Sequence, residues 1–88
     1  MGPTCSSMWR VSWKGSDSAL KPLLLMAHQD VVPVNMGTEK DWQGAPFAGE
    51  IKDGFIYGRG AIDDKGSLVA LMEAAEALAK SGFKPKRT

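Results

Sequence analysis

The chain has 88 residues and is poor in most of what would commit it to a specialised setting. Its single cysteine, Cys5, leaves no internal disulfide to form, which excludes the disulfide-stapled class of small domains and makes a reducing, cytoplasmic setting the expectation. No apolar run approaches the roughly 20 residues that span a bilayer. Residues 1–13 lack the basic start and apolar centre of a signal peptide. The formal net charge is only +1, and the sole basic run is the short Lys84-Pro85-Lys86-Arg87. Neither nucleic acid nor an anionic membrane has an electrostatic footprint on such a chain, so neither is an expected partner. Phosphate-binding loops are missing too. Lys65 follows Asp64 and precedes Gly66, not the order of a P-loop, and the third glycine of a dinucleotide fingerprint would fall on Asp63. With one histidine, the paired-histidine helix of a zincin is excluded.

What remains is ordinary globular material, 43% hydrophobic and 24% charged, long enough for one small domain or part of a larger one. In residues 8–13, Trp9, Val11 and Trp13 alternate and predict a half-buried strand. Gly15-Ser16-Asp17-Ser18 is turn chemistry. Residues 23–27 are apolar throughout and predict a strand covered on both faces, with Met26 in the core. Residues 35–46 read as a loop anchored by Trp42 and Phe47. Residues 50–57 predict a hairpin closed by Asp53-Gly54.

A helix is predicted from Asp64 or Lys65. Leu68, Leu71, Met72, Ala75 and Leu78 form its apolar stripe, with Glu73, Glu76 and Lys80 on the other side. The Glu76–Lys80 spacing favours an ion pair of about 0.2–0.5 kcal/mol. Gly82 suits the left-handed cap position. The basic tip is then expected to feed another strand. The order of strands, hairpin and one amphipathic helix makes this an α/β chain whose architecture is incomplete.

The chemistry sits in two places. His28-Gln29-Asp30 follows the apolar run, putting an imidazole and a carboxylate at a strand end, where open α/β sheets place ligands. A carboxylate that accepts the second ring N–H is the usual partner of a metal-bound histidine. Gly58-Arg59-Gly60-Ala61-Ile62-Asp63-Asp64 places adjacent carboxylates before the helix, and these are hard oxygen donors of the kind found in histidine–carboxylate zinc sites. Each has a plainer reading. His28 can be a satisfied structural residue, and Asp63-Asp64 can cap the helix and complement its dipole. Arg59 is expected to pair with one of these aspartates. Lys65 reads either as a solvated residue or as half of a local ion pair.

The segments LLLMAHQDVVPV, Trp42 with Pro46-Phe47 and Gly49, and DGFIYGRGAIDDKGS resemble the M20 metallopeptidases, in particular their carboxypeptidase-S-like and N-acyl-amino-acid hydrolase branch. The upstream WKGSD segment at Trp13 also fits. The resemblance covers residues 9–88. It implies a partial three-layer sheet of the zinc-dependent exopeptidase type. Residues 1–88 would be a fragment of the catalytic domain, without the lid or dimerisation domain, and would lack the usual preceding helix and strand.

The resemblance also implies a hydrolase that activates water at a pair of zinc ions, with cobalt or manganese as alternatives, and cleaves amide bonds of small peptides or N-acyl amino acids. His28 and Asp63 match metal ligands, Asp63 bridging the ions. Asp30 matches the catalytic carboxylate that orients His28, and the bond from Asp63 to Asp64 is often cis. The glutamate base, its neighbouring glutamate ligand, a later carboxylate and a final histidine have no counterpart in these 88 residues. The alternative is that the chain alone is a catalytically inactive fragment. A complete protein of this type would be expected to form a homodimer.

Overall fold

The computed structural model describes residues 8–88; Cys5 and the start of the signal-peptide reading lie outside them. The most local sequence signal is also the most regular element. Strands β1 (Glu50–Lys52) and β2 (Phe55–Tyr57) pair antiparallel, with Ile51 opposite Ile56 and Lys52 opposite Phe55. Asp53 and Gly54 both take positive φ, 53° and 81°, the type I′ geometry whose twist matches that of the strands. Phe55 and Tyr57 share one face and meet edge-on, their centroids 6.3 Å apart.

Helix α1 (Ser67–Lys80) follows a wide turn over Ala61–Gly66. It starts two to three residues later than the periodicity predicts. Asp63 (φ −112°, ψ 94°) and Asp64 (φ −137°, ψ 20°) are not helical, and the peptide bond between them is cis. The residue preceding the helix is Gly66, with no side-chain cap bond, so neither aspartate is the N-cap. The far end follows the sequence. Gly82 (φ 77°) donates its N–H to the Ala79 carbonyl and Phe83 donates to Leu78, the paired bonds of a Schellman ending. Glu76 and Lys80 form the predicted ion pair.

The two upstream strands are not formed. Residues 8–13 and 23–27 carry no ladder, because among the described residues no neighbouring strand lies beside them to accept and donate. Met26 is 79% exposed instead of sitting in a core, and Met72 on the helix stripe is also exposed. Phe47 is 66% exposed and anchors nothing, whereas Trp42 is half-buried. Trp13 does find a partner, meeting Phe83 edge-on at 5.9 Å.

The basic tip turns back along the chain. Ser16 and Asp17 donate backbone N–H bonds to the carbonyls of Pro85 (3.1 Å) and Lys86 (2.9 Å), and Leu23 donates to Thr88 (2.8 Å). The side chains of Lys84, Lys86 and Arg87 remain in solvent.

Among the described residues no hydrophobic side chain is fully buried. The radius of gyration is 17.8 Å, against about 12 Å for a compact domain of this length. The described fold is therefore an α/β fragment, one hairpin and one α-helix with a short 3-10 turn at Glu39–Asp41, and its apolar surfaces are open. No helix among the described residues is long and apolar enough to cross a membrane.

Candidate metal centre

Two loops meet beyond the end of the apolar run. One carries His28-Gln29-Asp30, the other the wide turn at Ala61–Gly66. The His28 ring is fixed from both sides. Its Nδ1 lies 3.0 Å from the Asp30 backbone carbonyl and 3.4 Å from Asp30 Oδ1. A carbonyl can only accept, so the bond places the proton on Nδ1 and turns Nε2 outward. The carboxylate of Asp30 assists, but the closer partner is the main chain of the same residue.

Nε2 faces Asp63 Oδ1 at 3.3 Å and Asp64 Oδ2 at 4.0 Å. These carboxylates differ in setting: Asp63 is 88% exposed and Asp64 only 20%. Asp64 is tied down. It accepts a hydrogen bond from the Ser67 side chain, which holds its carboxyl below the usual aspartate value, and its Oδ2 accepts the His28 backbone N–H at 3.3 Å. The His28 pKa is raised above the ordinary 6.5. The Asp30 backbone hydrogen bond is the largest cause. The charges of Asp30, Asp64 and Asp63 add to it, against some desolvation.

The geometry can be compared with a bound ion. Zinc bonds to imidazole nitrogen and carboxylate oxygen are about 2.0–2.2 Å, so adjacent donors on a tetrahedral ion are about 3.3–3.5 Å apart. The separation of His28 Nε2 and Asp63 Oδ1, 3.3 Å, matches that edge. It equally suits a hydrogen bond from the protonated ring. The nitrogen and oxygen pair fits zinc chemistry as two donors. Among the described residues no three His, Cys, Asp or Glu side chains converge into a fuller set.

Two expectations about neighbouring cations change. Arg59 pairs with neither aspartate; its guanidinium lies over the Trp42 ring, 5.0 Å from the centroid, with Nε shielded and unpartnered. A planar, weakly hydrated cation stacks well on indole, and that contact takes the arginine away from the turn. Lys65 is solvent-exposed, and among the described residues it forms no ion pair. Its Nζ donates to the Gln29 carbonyl at 2.9 Å. The roles of Asp64 and Lys65 at the histidine loop had no sequence signal, since both act on backbone groups. A cleft of about 390 Å³ lies elsewhere, lined by Thr38, Trp42, Glu50, Tyr57 and Gly58 among others, and includes none of His28, Asp30 and Asp63.

Comparison with known proteins places these loops in a family. Residues 24–88 match the model of peptidase family M20/M25/M40. Carboxypeptidase S of Saccharomyces cerevisiae is 54% identical over 79 residues, covering 88% of this chain and 14% of the relative. A probable carboxypeptidase S-like protein of Dictyostelium discoideum is 51% identical over 77 residues, covering 88% and 14%. An N-fatty-acyl-amino acid synthase/hydrolase of Mus musculus is 48% identical over 75 residues, covering 85% and 14%. The chain thus spans about 14% of the length of the curated relatives it matches. No solved structure matches it. With its family model spanning both loops, and relatives near half identity across most of its length, the chain belongs to peptidase family M20/M25/M40.

Proposed function

We propose that this chain carries part of the metal site of a zinc-dependent hydrolase that cleaves amide bonds of peptides or N-acyl amino acids. The observation that carries the reading is the approach of His28 Nε2 to Asp63 Oδ1 at 3.3 Å. Family membership and the names of the relatives, a carboxypeptidase and an acyl-amino-acid hydrolase, support the substrate class. His28 offers Nε2 as a donor, and Asp63 offers its carboxylate. Asp30 keeps the ring proton on Nδ1 through its carbonyl, which preserves the free lone pair on Nε2. When bound, zinc supplies Lewis acidity toward the amide carbonyl and lowers the pKa of water. Cobalt and manganese suit the same donor types. The hairpin and helix belong, on this reading, to a three-layer sheet of the exopeptidase type.

A catalytic zinc uses about three protein ligands, and this chain brings two together. The isolated 88 residues are therefore proposed to have no hydrolase activity of their own and to bind zinc more weakly than micromolar. Calorimetric zinc binding at micromolar strength or tighter would overturn that part. The activity itself is tested by exchange of segments. Residues 10–88 replace the matching stretch of carboxypeptidase S, and peptide and N-acyl-amino-acid hydrolysis are measured with and without a zinc chelator. The expected result is chelator-sensitive hydrolysis, lost in His28→Ala and Asp63→Ala. Activity that survives both substitutions rejects the proposal.

A further inference from the structure

We propose that Asp64 and Lys65 act together as a clamp on the backbone of His28 and Gln29, and that this clamp aims the His28 ring at Asp63. Asp64 Oδ2 accepts the N–H of His28 at 3.3 Å, and Lys65 Nζ donates to the carbonyl of Gln29 at 2.9 Å. Each bond crosses 36 residues of sequence, so consecutive side chains of one loop grip consecutive residues of the other. Their chemistry is complementary in order. The anion meets the amide donor entering the pair, and the cation meets the carbonyl acceptor leaving it. Neither partner can rotate its role away, because a carboxylate only accepts and an ammonium only donates.

Asp64 is itself anchored to the first residue of α1, Ser67, whose backbone N–H donates to the Asp64 carbonyl, and it is the least exposed of the carboxylates that face the ring. The helix thus fixes Asp64, Asp64 fixes the His28 amide, and Nε2 of the same residue is set 3.3 Å from Asp63. Val31 completes the fastening on the apolar side, packed against the buried Gly60. Asp64 and Lys65 are positioning residues on this account, since their hydrogen bonds go to the main chain, with Asp64 Oδ2 standing off at 4.0 Å from Nε2. The inference rests on the metal-donor reading of His28 and Asp63, but its first readout needs no metal.

The test is amide exchange and carbonyl chemical shift in the isotopically labelled, metal-free 88-residue chain, with the amides of α1 as internal reference. Asp64→Ala is expected to speed exchange of the His28 amide by ~10-fold or more, the loss of one bond to a charged acceptor. Asp64→Asn keeps an acceptor oxygen and should stay within ~3-fold of the parent, the rescue that separates positioning from a charge effect. Lys65→Met should shift the Gln29 carbonyl resonance upfield, and Lys65→Arg should restore it. The double exchange of Asp64→Lys with Lys65→Asp conserves net charge and should lose both bonds.

Zinc chloride is then titrated while the His28 ring nitrogens are followed. Asp64→Ala should weaken the zinc-induced shift of Nε2. The clamp is overturned if the parent His28 amide exchanges at the unprotected rate, if Asp64→Ala leaves it unchanged, or if Asp64→Asn is as damaging as Asp64→Ala. If exchange follows the clamp while zinc moves neither His28 nor Asp63, the clamp stands and the metal-donor reading fails.

Discussion

Gly60 sits where the two loops press together, and replacing it with alanine tests that packing. It is buried and holds a φ of 84°, the left-handed region. An alanine there costs about 1–2 kcal/mol for the backbone conformation alone. Its Cβ would also overlap Val31 Cγ1 and stand 3.2 Å from Lys65 Nζ. Forcing an extra methyl into a filled space costs about 1–3 kcal/mol. The sum is roughly 2–5 kcal/mol, or ~30-fold to ~4,000-fold in the equilibrium for opening the turn. The reporter is the Lys65 amide, which donates to the Gly60 carbonyl at 3.0 Å, followed by hydrogen exchange.

Two comparisons separate the contributions. Gly37 has nearly the same φ, 87°, with nothing within 4 Å of an added Cβ. Gly37→Ala should therefore loosen its own turn, read at the Thr38 amide, by the conformational cost only. Adding Val31→Ala to Gly60→Ala removes the overlapped methyl and should recover part of the Lys65 protection. If Gly60→Ala exchanges like the parent, or if Val31→Ala recovers nothing, the packing of the two loops is not as described.

Three further outcomes are expected. His28 should titrate above 6.5 in an NMR pH series, and because the folded value is raised, its stabilising contribution is complete below pH 6.5 and disappears as pH climbs through the raised value. Asp30→Ala should lower that value only partway, since the largest cause is the Asp30 main-chain carbonyl; a complete return to 6.5 would contradict the assignment. The open apolar surface of Leu24, Met26 and Met72 should bind a hydrophobic dye, and a Leu24→Ser, Met26→Ser variant should bind markedly less. No dye fluorescence above that of a compact control protein would refute the exposure.

What could be read from the residues follows how local each signal is. The hairpin was legible because Asp53-Gly54 specifies its turn without help from elsewhere, and the helix ending because Gly82 and Phe83 bond within one turn. The strands at residues 8–13 and 23–27 were not, because alternation and apolar runs describe a surface that wants covering, while a ladder needs a neighbour in place. Charge pairing misled for Arg59, whose planar cation found an indole before a carboxylate. At the site, residue types alone left His28 open between ligand and structural roles, and the family resemblance pointed to Asp63 as its counterpart. The intervening grip of Asp64 and Lys65 on main-chain groups leaves no pattern to read, since every residue except proline offers the same amide and carbonyl.

The stacking of Arg59 on Trp42 also shapes the electrical landscape. With that guanidinium over an aromatic face, the carboxylates of Asp30, Asp63 and Asp64 have, among the described residues, the His28 imidazole as their ion-pair partner, with the Lys65 ammonium held on the neighbouring Gln29 carbonyl. Three carboxylates facing one imidazole favour the approach of small mobile cations from solution. The approach of such ions should slow as background electrolyte thickens the screen.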